Sequence, residues 1–118
     1  MAYCVALITA PAGEAAQGLA RRIVEEKLAA CVNLVPSVQS TYWWEGKIAH
    51  AEECLLIAKT DKLKVKALVK LVKAQHPYQV PEVITLSIKE GNRDYLRWIS
   101  ESLGTPRKKQ RIPRGILK

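Results

Sequence analysis

A chain of 118 residues, 48% hydrophobic and formally +8 at pH 7, is long enough to bury one core without cross-links, and it has no apolar run near the roughly 18 residues a membrane span needs. Its three cysteines, Cys4, Cys31 and Cys54, are odd in number and 27 and 23 residues apart, which excludes a disulfide framework and any CxxC redox or zinc pattern. The amino-terminal stretch lacks a basic region ahead of its apolar residues, so a cytoplasmic protein with free thiols and no membrane association is expected.

In chain order, "YCVALITA" (3 to 10) is a short apolar run closed by Pro11 and Gly13 and reads as a buried strand. Residues 14 to 29 take helical spacing, with Ala16, Leu19, Ala20, Ile23 and Val24 inward and Arg21, Arg22, Glu25 and Glu26 outward. "CVNLVPSVQSTYWW" (31 to 44) is a strand whose Pro36 cannot donate to a ladder, which places it at a sheet edge or a bulge. A tight turn at "EGK" (45 to 47) returns the chain as a second hairpin strand, 48 to 60. Asp61 is a helix N-cap, after which Val65, Leu68, Val69 and Val72 repeat at helical intervals until about His76. "EVITLSI" (82 to 88) is a fourth strand, and a third helix starts on Asn92 and stops at Gly104, with Pro106 beyond. The segment "TPRKKQRIPRGILK" (105 to 118) holds six of the nineteen basic residues and no acid. It reads as an extended or disordered basic tail on a single domain, 1 to 104, that is nearly neutral.

The order β-α-β-β-α-β-α, with two right-handed crossovers, predicts a ferredoxin-like α+β sandwich with an additional C-terminal helix. Helices on one face should leave alternating strands, yet both parities are apolar in "CVALITA" and "CLLIA". Both faces are therefore expected to be covered, the second by another copy of the chain. Cys4 and Cys54 fall on strands expected to be neighbours, which leaves room for them to approach each other, but small buried filler is the plainer reading of both.

Each candidate for chemistry has a structural counterpart. Cys31 is a soft metal ligand or a small buried residue. His76 is a borderline ligand, or the residue that ends a helix before Pro77. Glu82 is a hard ligand or a solvated glutamate at a strand start. Tyr42, Trp43 and Trp44 suit an interface or stacking surface, or pack on their own hairpin. Lys62, Lys64, Lys66, Lys70 and Lys73 make either a solvated helix face or an anion-binding one. GxGxxG, Walker A, GxSxG and HExxH are all missing, so no enzymatic activity is expected. An RNA-recognition module shares the element order, but the chain has no Phe and lacks its aromatic strand motif, so nucleic acid is not an expected partner.

The strings "KLAACVNLVPSVQSTYWWEGKI", "EECLLIAKT", "HPYQVPEVITLSI" and "GNRDYLRWI" resemble the divalent-cation tolerance family CutA, over about Tyr3 to Leu103. The resemblance implies a ferredoxin-like subunit, a homotrimer joined through the long hairpin, an architecture shared with PII-type signalling proteins, and a link to copper and other divalent ions, with no metal required for folding. It implies Cys31, His76 and Glu82 as metal ligands near subunit interfaces and Tyr42, Trp44 and Tyr78 as interface or cleft residues, to which the density of aromatics at 42 to 44 adds Trp43. Gln79 stands where the family often has Glu, which weakens any site using that position. The expected function is a homotrimeric cation-tolerance or metal-response protein. The alternative is a PII-like trimeric signalling or adaptor module that binds a small anionic ligand or a protein partner.

Overall fold

The computed structural model describes residues 2–76 and 80–104. Pro77, Tyr78, Gln79 and the basic segment 105–118 lie outside the described residues. Strand β1 (Tyr3–Pro11) is followed by α1 (Glu14–Glu25), β2 (Cys31–Trp44), β3 (Lys47–Asp61), α2 (Val65–Gln75), β4 (Val83–Ser87) and α3 (Arg93–Leu103). The strands form one antiparallel sheet in the order β2-β3-β1-β4. The chain is thus an α+β protein with the predicted element order, and β2, which carries Pro36, is an edge strand as expected.

Strict alternation along β1 separates two faces. Cys4, Ala6, Ile8 and Ala10 are buried, while the residues between them are partly exposed. On β3 the buried partners are Cys54, Leu56, Ala58 and Thr60. This face packs against α1 and α2 through Ala16, Leu19, Ile23, Leu68 and Val72. Burying each large aliphatic side chain here contributes about 1.5–3 kcal/mol. Cys4 and Cys54 lie on the same face of adjacent strands, but Cys4 pairs with Thr60 and Cys54 with Ala10. Six residues of strand, about 20 Å, separate them, so they do not approach each other, and both are small buried residues as the plainer reading has it.

Several boundaries are set by local backbone chemistry. Helix α1 stops earlier than the predicted residue 29 because Lys27 turns into the left-handed region at φ 58. Lys27 N then donates to Val24 O (2.9 Å) and Leu28 N to Ile23 O (3.0 Å), which is a Schellman motif with lysine where glycine is usual. Val24, expected inward, is 41% exposed beside that end. At the hairpin tip Glu45 (φ 51) and Gly46 (φ 79) form a two-residue turn between paired Trp44 and Lys47; positive φ at both positions matches the right-handed twist of the strands. Asp61 accepts from Leu63 N at 2.9 Å, opening a short 3-10 turn over Lys62–Lys64 before α2 begins. Asn92 caps α3 by accepting from Asp94 N and Tyr95 N, and Gly104 ends it at φ 68.

Helix α3 lies over one end of the sheet's second face, where Tyr3 Oη and Ser100 Oγ are 2.6 Å apart. Beyond α3 that face carries Leu7 and Ile57, and at the edge Ile84 and Leu86 are 52% and 57% exposed. The apolar second face read in the sequence is present, and among the described residues it is covered at one end only.

Candidate functional site

The site begins with an irregularity in β2. Val35 pairs with Leu55 and Val38 with Glu53, so Pro36 and Ser37 stand opposite Cys54 alone. Proline has no N–H to lose from a ladder, and a bulge is one of the few places where a strand accepts it. The bulge is fastened on both sides: the Cys54 thiol lies 3.4 Å from Pro36 O, and Ser37 Oγ donates to Glu52 Oε2 at 2.7 Å.

The extra residue reverses the parity of everything beyond it. Before the bulge Val32 and Leu34 face the helices opposite Ala58 and Leu56; after it Val38, Ser40, Tyr42 and Trp44 are cross-strand partners of Glu53, Ala51, Ala49 and Lys47, on the second face. Pairing of β1 with β3 ends at Pro11 and Glu53. From Gln39 to Glu52 the hairpin is therefore a two-stranded arm, marginal alone in water. It carries Tyr42, Trp43, Trp44 and Ile48 at 42%, 73%, 44% and 59% exposure.

At the base of the arm is an open cleft of about 670 Å³, lined by Thr9, Ser40, Thr41, Tyr42, Trp44, Ala51, Glu53, Val80 and Glu82. Thr9 joins its parts. Its hydroxyl donates to Glu82 Oε1 at 3.3 Å, and its carbonyl lies 2.6 Å from His76 Nε2. A carbonyl only accepts, so Nε2 carries the proton, and a metal bound by His76 would have to use Nδ1. His76 does end α2, with its backbone N–H on Val72 O and an extended ψ of 137. Its side chain is buried and reaches β1 rather than the last carbonyls of the helix. Glu53 is buried in the cleft wall at 6% exposure, whereas Glu82 is exposed at the rim.

The three residues read as ligands are not brought together within one chain. His76 and Glu82 converge on Thr9. Cys31 pairs with Lys59, which also pairs with Val5, placing Cys31 two strands across (about 10 Å) and four residues along (about 14 Å) from Thr9. Its surroundings are Asn33, whose Oδ1 is 3.9 Å from Sγ and also accepts from Lys59 Nζ, and Tyr95. Burial raises the Tyr95 phenol above its ordinary value, and proximity to Cys31 adds to the shift. Among the described residues no three His, Cys, Asp or Glu side chains gather around a common point. Of the aromatic residues, Tyr42 and Trp44 line the cleft, and Trp43 points to the opposite face with Ile48.

Sequence reasoning missed Thr9, Ser40 and Glu53. Glu53 had a signal, since parity along "EECLLIAK" places it with Leu55 and Ile57 on a face where a charge must be accommodated. Thr9 and Ser40 had none, because their roles depend on the partners that the fold delivers.

Residues 4–102 match the family model described as CutA1 divalent ion tolerance protein. The divalent-cation tolerance protein CutA of Thermus thermophilus is 49% identical over 100 residues, covering 85% of this chain and 97% of that protein. The rice chloroplastic protein CutA 1 is 53% identical over 98 residues, covering 83% of this chain but 55% of the relative. The crystal structure of CutA1 from Oryza sativa superposes with a TM-score of 0.84 at 51% identity, over 86% of this chain and 94% of that one. With the match running from β1 almost to the end of α3, the chain belongs to the CutA1 divalent ion tolerance family.

Proposed function

We propose that this protein is a homotrimeric divalent-cation tolerance protein that binds copper or another divalent ion in clefts at subunit boundaries. The reading rests on the cleft at the base of the arm, where two carboxylates, Glu53 and Glu82, stand beside Tyr42 and Trp44. Carboxylate oxygens suit hard and borderline divalent ions, imidazole and thiolate softer ones. One chain supplies Glu82 and, through Nδ1, His76; Cys31 contributes only from a neighbouring copy. The ferredoxin-like subunit trimerises through its arm and its partly bare second face, with Trp43 at the boundary. The metal is cargo rather than a folding requirement, and the protein catalyses no reaction. Three free cysteines favour a reducing compartment such as the cytoplasm, and no helix among the described residues is long and apolar enough to cross a membrane.

Light scattering combined with titration of Cu(II) and Zn(II) tests this. The expected result is a trimer mass and saturable binding weakened at least tenfold by Glu82→Gln and by Cys31→Ser. A monomer mass, or affinity and stoichiometry unchanged in both variants, overturns it. The second reading, a PII-like signalling or adaptor module for a small anion, draws on Lys62, Lys66, Lys70 and Lys73. All four are exposed, and none pairs with a carboxylate among the described residues. A thermal-shift screen with small phosphates distinguishes it, since binding to the folded state raises Tm with ligand excess.

A further inference from the structure

We propose that the basic segment 105–118 occupies the acidic cleft, so that the chain carries its own competitor for the cation; the competition, though not the docking, rests on the cation-binding reading above. Among the described residues, the cleft lining includes Glu53 and Glu82 but no lysine or arginine. The segment includes Arg107, Lys108, Lys109, Arg111, Arg114 and Lys118 and no acid. It also lies beyond the family match, which ends at residue 102, so the device belongs to this chain rather than to the family domain.

Reach decides which of these cations are involved. Helix α3 is pinned at Ser100 to Tyr3 Oη. Thr9, on the same face of β1, lies six residues further along the strand, about 20 Å away. The last turn of α3 to Gly104 adds about 6 Å in a direction that can lengthen the path. Counting from Gly104, seven extended residues to Arg111 span at most about 25 Å and ten to Arg114 about 36 Å. On the longer path Arg107 to Lys109 fall short, Arg111 arrives only at full extension with its side chain, and Arg114 arrives with slack.

Arginine also fits what is there. Its planar guanidinium donates two parallel hydrogen bonds to a carboxylate and stacks on an aromatic face, and the cleft offers Glu82 at its rim with Tyr42 and Trp44 beside it. A tether of this length holds the segment at an effective concentration on the order of millimolar. Contacts of submillimolar intrinsic affinity then keep the cleft occupied most of the time. A divalent ion must displace them, from the same chain's cleft or from a neighbour's in the trimer.

The full-length protein and full-length Arg111→Glu/Arg114→Glu are compared by Zn(II) titration. The variant is expected to bind about two- to tenfold more tightly, with the difference shrinking as NaCl screens the wild-type contact. Equal affinities at low salt overturn the competition. A metal-free measurement keeps docking separate from cation binding: acrylamide quenching of Trp44, obtained by subtracting the signal of a Trp44→Phe control. If neither protein binds Zn(II), the cation reading fails, and lower Trp44 accessibility in the wild type than in the charge-reversed variant still supports docking. Equal accessibility overturns docking whatever the metal result.

Discussion

His76 is where a ligand and a structural brace make different predictions. Replacing it by Phe keeps a ring in a position that is 7% exposed and removes the donor 2.6 Å from Thr9 O. Leaving a carbonyl without its donor in a buried setting costs about 1–3 kcal/mol. For a domain of this size each kcal/mol moves Tm by about 3–6 °C. His76→Gln retains an N–H donor of comparable reach and should recover part of the loss. The assay is urea denaturation with chelator present and protein concentration held constant, because association contributes to apparent stability. The expected order is wild type, then Gln, then Phe, with an unchanged m-value. If Phe matches wild type in chelator and loses only cation affinity, His76 is a ligand and not a brace, and the assignment of Nε2 to Thr9 is wrong.

Three further outcomes follow from the same structure. Lys27→Gly should stabilise the fold by about 0.5–1 kcal/mol, because left-handed backbone costs an L-residue about 1–2 kcal/mol and glycine's extra freedom when unfolded returns part of that; a lower denaturation midpoint would contradict the Schellman ending of α1. Burial, reinforced by the charge of Asp61 and partly offset by Lys62, holds the Cys4 thiol above its ordinary 9.0. The unfolded chain then loses this proton from about pH 9 upward while the folded chain keeps it, so stability is intact below that and falls above it; Cys4→Ala should flatten the fall, and parallel curves would refute it. Oxidation of the native protein should not join Cys4 to Cys54, since about 20 Å separates residues whose Cα atoms must come within about 7 Å; peptide mapping that finds this link would disprove the register.

Most of the fold was legible because its signals are local. Pro36 announced the edge and the irregularity of β2, Asn92 and Gly104 bracketed α3, and Asp61 marked the turn into α2. The premature end of α1 was hidden because Lys27, not glycine, adopts positive φ there. The cleft was less legible. Tyr42, Trp44 and Glu82 stand out by type, but Thr9, Ser40 and Glu53 matter through where β1, β2 and β3 place them. Two cysteines on neighbouring strands looked close because parity and strand order say nothing about register until the partners are known. Cys31 was linked to His76 and Glu82 by resemblance, and the sheet keeps them apart within a chain.

The bulge at Pro36 and Ser37 makes β2 a strand with two reading frames. In its proximal half the even-numbered Val32 and Leu34 answer to the helices above them, and in its distal half the even-numbered Ser40, Tyr42 and Trp44 answer to the cleft. Sequence drift in one half is therefore largely invisible to the other. The two frames meet at a single inserted residue, which makes the tryptophan doublet informative: straightening the bulge without removing a residue would replace Tyr42 and Trp44 in the cleft by Thr41 and Trp43. A tryptophan would still be delivered. The arm tolerates a slip of its own register in the ring it presents, and the phenol of Tyr42 is what that slip would remove.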